Sequence, residues 1–231
     1  MSSAPGAALR PCLCRRGPAR RPKSPITGSD PKAWPRRVNA MTNATELFLD
    51  GLTGLYNRAY FLDRLSEAVE AAQEKNLALS LLLIDLDNLF LINHERGRPA
   101  GDLALQALAD TLRRSAHEHE TVARLSGDQF AMLLLGTSLV TATQFAQAIR
   151  RLVGRAHEVH PGFGAIDVCI GVSARPARGD WEAADLLQLA ELRLISAKRS
   201  RLNPGAEQQV WAGPPDPSDD DATEEGGSDR E

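Results

Sequence analysis

A turn between two apolar runs constrains the fold of this chain more than any other feature. The run TVAR precedes the segment LSGDQF (residues 125–130), and the apolar run FAMLLL begins at its last residue, Phe130. The pattern predicts a strand that ends, reverses and returns as a second strand, forming a hairpin. Its tip carries the acidic Asp128 beside the neutral Gln129, a pair that a purely structural turn does not require.

The rest of the chain predicts helices packed on this sheet. Apolar residues recur at helical spacing over residues 57–75, 102–116, 139–159 and 181–200. The continuous apolar run LALSLLLI is typical of a buried central strand, and AIDVCIGVSA and QQVW predict two further strands. The resulting order favours an α+β sandwich with a mixed sheet. The predicted inner stripes are Tyr60, Phe61, Leu65, Ala68, Val69 and Ala72 in the first helix, and Leu103, Leu105, Leu108, Ala109 and Leu112 in the second.

Both ends of the chain differ in composition from the middle. Residues 1–40 hold nine Lys/Arg against one acidic residue, whereas residues 213–231 hold eight Asp/Glu against one Arg. Both are rich in Pro, Gly and Ser, so we predict a disordered basic segment over 1–44, one domain over 45–212 and a disordered acidic tail over 213–231. The basic segment is compatible with a transit peptide. We favour a simpler interpretation, in which translation begins at Met41.

Several classes of protein are excluded or disfavoured by composition. No apolar run reaches the roughly 18 residues needed to span a bilayer. Cys12, Cys14 and Cys169 have neither disulfide nor zinc-ligand spacing, so a reducing cytoplasmic location is expected. The basic segment could attract nucleic acid or an anionic membrane by charge alone. It lacks interleaved aromatic residues, and specific nucleic-acid binding is not expected.

Two carboxylates are predicted to meet at one end of the sheet. Asp85 ends the buried strand and Asp128 lies at the hairpin tip, so they converge if the two strands are neighbours. Mg²⁺ prefers such oxygen ligands and keeps several waters, which leaves room for substrate phosphates. A metal held there would polarise a phosphoryl group and align an attacking hydroxyl. The alternative is structural: Asp85 or Asp87 caps the following segment, and Asp128 is a turn former.

Five motifs in this order resemble the GGDEF, or diguanylate cyclase, family. They are DGLTGLYNRAYF, IDLDNLFLINHERGRPAGD, RLSGDQF, CIGVS and AELRLISAKRSRLN, and the resemblance covers essentially all of residues 46–203. It implies a cyclase-palm (ferredoxin-like) fold, with a central mixed sheet of about five strands flanked by helices. It also implies a reaction in which two GTP molecules, one on each of two antiparallel subunits, condense to cyclic di-GMP and release pyrophosphate, using Mg²⁺ or Mn²⁺.

The resemblance also assigns roles to retained residues. Asp85 corresponds to the strand-end metal ligand, and Asp128 to a residue that is both metal ligand and catalytic. Asn93 and Asp102 correspond to guanine-reading residues, and their chemistry suits this role because guanine offers N1–H and N2–H donors. The nucleotide-binding set is completed by Gly127, where the backbone approaches phosphate without a Cβ, and by Lys198, which matches a phosphate-binding lysine.

Other positions depart from the family pattern. Gln129 stands where the family has a glutamate; its amide carries no charge and cannot act as a base. Two of three phosphate-binding cations are replaced, by Phe90 and Leu202. A hydrogen bond to a charged group contributes about 1.5–3 kcal/mol, so the two losses predict binding or turnover weaker by roughly 10²–10⁴-fold. Arg201 or Arg98 could compensate through a small shift.

The product-inhibition motif of the family is also altered. Its arginine and aspartate correspond here to His117 and Glu120, while Arg124 matches an accessory arginine of that site. Histidine is only partly cationic at neutral pH and lacks the arginine fork. We therefore expect a solvated loop there instead of a high-affinity product site.

Three functions remain open on these residues. The first is a degenerate, weakly active or inactive cyclase that binds GTP or a metal and regulates a protein partner. The second is an active diguanylate cyclase that works as a homodimer. The third is a purely structural interaction domain. GTP or cyclic di-GMP is the expected ligand in the first two.

Overall fold

The structure, a computed structural model, describes residues 46–156, 161–175, 181–201 and 210–211. The predicted basic segment, the acidic tail and Leu202 lie outside the described residues. Within the described residues, no helix combines the length and the apolar character that a membrane span requires.

Helices and strands alternate in nearly the predicted order. The elements are α1 (Arg58–Lys75), β1 (Leu79–Leu86), α2 (Leu89–Arg96), α3 (Arg98–Ser115), β2 (Thr121–Ser126), β3 (Gln129–Leu135), α4 (Leu139–Gly154), β4 (Val168–Arg175), α5 (Ala183–Arg201) and β5 (Val210–Trp211). Short 3-10 helices lie at Glu46–Phe48 and Pro161–Phe163. The sequence pattern does not predict α2, because this eight-residue helix buries only Ile92 and so has no apolar period.

The strands form one mixed sheet in the order β2-β3-β1-β4-β5. β1 is antiparallel to both neighbours, β3 and β4, while β5 pairs parallel to β4. All eight residues of β1 are buried, which explains its continuous apolar run, since a strand covered on both faces needs no polar alternation. The α+β class and the five-stranded mixed sheet are therefore confirmed.

Helices cover both faces of this sheet. α3 and α4 share one core cluster with the side chains of Leu82, Ile84 and Leu86 of β1. α1 and α5 contact the sheet on the other side. There, Gly171 of β4 lets the backbone of α5 come very close: a Cβ at this position would lie 2.3 Å from the carbonyl oxygen of Ala190. This contact fixes α5 along the sheet and so positions the side chains of its last turn.

One predicted core position is wrong. Leu103 is 49% exposed, whereas Ala104, Leu108 and Leu112 of the same helix are fully buried. These three residues follow each other at four-residue spacing and form the stripe that faces the sheet, so the preceding residue points away from it. In the first helix, Tyr60 is only half-buried and stacks on Tyr56, with ring centroids 4.0 Å apart.

Candidate nucleotide and metal site

The end of β1 and the tip of the hairpin meet at one edge of the sheet. Asp85 is in register with Gln129 of β3 on one side and with Cys169 of β4 on the other. One residue further, the backbone N–H of Leu86 donates to the carbonyl oxygen of Asp128 over 3.0 Å. The expectation that β1 and the hairpin are neighbours is thus confirmed, and Asp85 and Asp128 lie at the same end of the sheet.

Asp85 is a buried carboxylate with a cationic partner. Its side chain is 6% exposed, and Lys198 Nζ of α5 lies 2.7 Å from its Oδ2. Burial raises the pKa of Asp85; the hydrogen bond from Lys198 opposes this rise, and the negative charge of Asp128 adds to it. A buried carboxylate of this kind favours a nearby cation, because its charge is poorly solvated.

A second buried carboxylate lies two residues further along the chain. Asp87 has a side chain 4% exposed, with Arg201 Nη1 3.6 Å from its Oδ2. The thiol of Cys169 donates to the same oxygen over 3.4 Å. Burial raises the pKa of Asp87, and burial together with this carboxylate raises the pKa of Cys169 to about 12. The thiol is therefore a neutral donor at physiological pH.

Neither aspartate caps a helix through its side chain. The N-cap of α2 is Asn88, and its side chain makes no capping hydrogen bond. The sequence pattern does not predict that Cys169 is a partner of Asp87. The ion pairs of the two aspartates had a sequence signal: two acidic residues at i and i+2, one on β1 and one directly after it, and two cations at i and i+3 on α5.

The two predicted guanine-reading residues lie at the corner between α2 and α3. Gly97 separates the helices with φ of 85°, a conformation that glycine adopts at low cost. The side chain of Asn93 packs directly on Gly101, where an added Cβ would lie 2.0 Å from Asn93 Oδ1. Asp102 follows Gly101 and is exposed. The structure therefore places Asn93 against Gly101, the chain neighbour of Asp102, and the sequence pattern does not predict this role of Gly101.

The signature turn is held by an arginine from β2. Arg124 Nε and Nη2 donate to the carbonyl oxygen of Gly127 over 2.9 and 2.7 Å, and Nη1 lies 3.0 Å from Asp50 Oδ1. Asp50 in turn accepts from the backbone N–H and the hydroxyl of Thr53. Gly127 has φ of 42°, and an added Cβ would meet open space. Glycine is therefore favoured at this position by its positive φ and not by a lack of space for a side chain.

Arg124, predicted to match an accessory arginine of a product site, is thus engaged inside the domain. The neighbouring loop is exposed at His117, whose backbone N–H donates to Glu120 Oε2 over 2.8 Å. This arrangement agrees with the expected solvated loop.

The described residues include no group of three or more His, Cys, Asp or Glu side chains that could hold a metal by themselves. Mg²⁺ commonly uses only one or two carboxylates and completes its shell with waters and substrate phosphates. Asp85 and Asp128 supply such a donor set. The site therefore fits a metal that arrives with a nucleotide better than a metal bound by protein alone.

Two of the departures from the family pattern, Gln129 and Phe90, lie within the described residues. Gln129 is half-buried directly beside Asp85 in the sheet register. Phe90 is 82% exposed on α2, with its ring centroid 6.2 Å from that of His94. A neutral amide and an apolar ring thus stand where the family has charged groups.

The chain is similar to a known protein family along most of its length. The family model described as "Diguanylate cyclase, GGDEF domain" matches residues 47–204. Diguanylate cyclase DgcS of Shewanella oneidensis is 31% identical over 158 residues, which are 68% of this chain and 52% of DgcS. The chain thus spans about half the length of that relative.

Solved structures show the same fold. The GGDEF domain of DgcB from Caulobacter crescentus, in complex with c-di-GMP, matches with a TM-score of 0.63 and 26% identity, covering 71% of this chain and 94% of that chain. Diguanylate cyclase SiaD from Pseudomonas aeruginosa, in complex with its activator SiaC, matches with a TM-score of 0.61 and 25% identity, covering 73% and 63% respectively. Since the family model matches more than half of the chain, the chain belongs to the GGDEF family.

Proposed function

We propose that this chain is a guanine-nucleotide-binding module of cyclic di-GMP signalling whose cyclase turnover is weak or lost, and which regulates a protein partner. The proposal rests on the sheet edge, where some residues match the family pattern and another does not. Asp85, Asp128 and Lys198 are retained there, while the neutral Gln129 lies next to Asp85.

Each retained group has a defined task in binding. Asn93 and Asp102 bind the guanine edge, whose donors match a carboxylate and whose remaining atoms match an amide. Lys198 binds phosphate. Asp85 and Asp128 would hold Mg²⁺ or Mn²⁺, which supplies charge neutralisation and polarisation of the phosphoryl group.

The same residues predict poor catalysis. Gln129 adds no negative charge beside Asp85, so the site attracts a metal less strongly than one with an additional carboxylate. Phe90 supplies no charge to the phosphates. Binding energy that acts only on the transition state is the part that raises turnover, and these substitutions remove charged groups from the place where phosphate reacts.

A second candidate function is an active diguanylate cyclase. It is supported by the retained Asp85 and Asp128 at one sheet edge and by the activity named for the relative DgcS. A third, a structural interaction domain, would use the sheet and helices without any ligand. The experiment below separates the three.

Two kinds of protein partner are proposed, a second copy of this chain and a regulatory protein. Joining two GTP molecules requires two sites face to face, so a cyclase of this type works as a homodimer. SiaD is a relative held in complex with an activator, which supports a protein partner for this chain as well. GTP and cyclic di-GMP are cytoplasmic nucleotides, and we place the protein in the cytoplasm.

The test uses the purified full chain with GTP and either Mg²⁺ or Mn²⁺. Calorimetry follows GTP binding, and chromatography follows cyclic di-GMP in the same sample. We expect binding with little or no product. Asp128→Ala should weaken metal-dependent GTP binding by roughly tenfold, about 1.4 kcal/mol, while the exposed-loop control Glu118→Ala should not.

The other outcomes identify the other functions. Abundant product that disappears in Asp128→Ala would establish an active cyclase. No binding at millimolar GTP, with or without metal, would leave only the structural role.

A further inference from the structure

The last turn of α5 presents two cations to the sheet edge. Lys198 and Arg201 are three residues apart and therefore lie on the same side of the helix. They face Asp85 and Asp87, which are two residues apart at the end of β1. The four side chains form two ion pairs side by side, at the edge where Asp128 also lies.

The two pairs differ in tightness. Lys198 approaches Asp85 to 2.7 Å, whereas Arg201 lies 3.6 Å from Asp87 and donates to Asn88 Oδ1 only over 3.3 Å. A guanidinium has five N–H donors, and among the described residues these two long contacts occupy only part of that capacity. The side chain of Arg201 is 31% exposed, which makes it accessible to a ligand from solvent.

Asp87 does not depend on Arg201 alone. The thiol of Cys169, on β4, also donates to Asp87 Oδ2 over 3.4 Å. If Arg201 turns toward a ligand, Asp87 keeps this hydrogen bond. The movement of Arg201 from Asp87 to a ligand therefore avoids the free-energy cost of a buried carboxylate without a hydrogen-bond partner.

We infer that Arg201 is a phosphate-binding residue of the nucleotide site, acting with Lys198 and supplying the charge that Phe90 does not. The planar fork of arginine suits phosphate oxygens better than a lysine ammonium does. The guanine end of the site, at Asn93 and Asp102, is insensitive to phosphate number. Arg201, together with Lys198, therefore favours a triphosphate over a monophosphate. This inference rests on the proposed guanine-nucleotide binding.

The test compares GTP, GDP and GMP by calorimetry on the full chain with Mg²⁺ present. Wild-type protein should bind GTP more tightly than GMP. Arg201→Ala should weaken GTP binding by about 10- to 100-fold, the loss of one or two charge-assisted hydrogen bonds, and leave GMP binding within about twofold. Asn93→Ala should weaken all three nucleotides by a similar factor. The matched control, Arg199→Ala, removes an exposed cation from the same turn and should change none of them.

Arg201→Lys is a second variant that tests the same inference if Arg201→Ala does not fold. It keeps the positive charge beside Asp87 but loses the fork, and it should bind GTP roughly 3- to 10-fold less tightly than wild type. Thermal unfolding of each variant confirms that the comparison is between folded proteins.

Two results overturn the inference, and they differ. If wild type binds GTP and Arg201→Ala binds GTP equally well, or loses GTP and GMP by the same factor, Arg201 is only a counter-ion of Asp87 and the proposed function survives. If wild type binds none of the three nucleotides, the proposed function fails as well.

Discussion

At the scale of single residues, the neutral Gln129 is the most consequential departure of this chain. It lies beside Asp85 in the sheet register and is half-buried. Replacing Gln129 by glutamate tests whether the missing negative charge limits the metal affinity of the site.

We predict that Gln129→Glu strengthens Mn²⁺ binding in the presence of GTP by roughly tenfold, or about 1.4 kcal/mol, because a third carboxylate joins Asp85 and Asp128. Electron paramagnetic resonance of free Mn²⁺ measures this directly, and chromatography reports any gain of cyclic di-GMP. Gln144→Glu, on the exposed side of α4, is the control for a general charge effect. Equal Mn²⁺ affinity in Gln129→Glu and wild type would show that the charge at position 129 does not limit metal binding.

The Asp50–Arg124 pair gives a second prediction at this scale. Burial opposes ionisation of Asp50, but hydrogen bonds from Thr53 and Arg124 outweigh it and lower its pKa below 3.8. A lowered folded-state pKa adds stability above the unfolded pKa, and this stability is lost as the pH falls through the folded value. Asp50→Asn should therefore reduce the free energy of unfolding by about 1–3 kcal/mol at pH 7, and the difference should shrink below pH 3.8.

Urea unfolding at a series of pH values checks this prediction, with Asp63→Asn on the exposed side of α1 as the control. A difference that stays constant down to pH 3 would mean that the charge of Asp50 does not act through Arg124. Because Arg124 also holds the carbonyl oxygen of Gly127, Asp50→Asn is further expected to loosen the signature turn.

At the scale of elements, the contact between α5 and β4 positions the cations. Gly171 lies against the backbone of Ala190 and Leu194, and the last turn of the same helix carries Lys198 and Arg201. The helix can therefore move away from the sheet only if both ion pairs also move.

We predict that Gly171→Ala lowers stability by about 1–3 kcal/mol, the usual cost of overpacking, or more, because the clash is with backbone atoms. It should also weaken GTP binding, since Lys198 is displaced from the sheet edge. Urea unfolding and calorimetry measure the two effects, and Gly51→Ala, where an added Cβ meets nothing within 4 Å, is the control. A stable Gly171→Ala protein with unchanged GTP affinity would show that α5 can shift without affecting the site.

The elements also show which patterns predict structure well. The continuous apolar run of β1 predicts a central strand, and all of its residues are buried. In contrast, α2 is short and buries only Ile92, so its helical conformation depends on packing against α3 and is invisible in hydrophobic periodicity.

At the scale of the whole molecule, the proposed chemistry joins two sites. Any cyclic di-GMP formed by this chain should therefore appear with a specific activity that rises with protein concentration, because subunits associate before they react. Product formation measured over a hundredfold range of protein concentration, together with sedimentation, tests this expectation. A specific activity independent of concentration, in a protein that sediments as a monomer, would contradict it.

The sequence by itself determined the α+β class, the hairpin with Asp128 at its tip and the strand that carries Asp85, because these depend on local periodicity and turn chemistry. The five motifs also indicated the family, and by resemblance they predict its guanine-reading pair. Only the tertiary structure decided which cations meet which carboxylates: Lys198 with Asp85, Arg201 with Asp87 and Arg124 with Asp50. These partners are far apart in the chain, and their distances depend on strand register and on how closely α5 packs at Gly171, which no local pattern encodes.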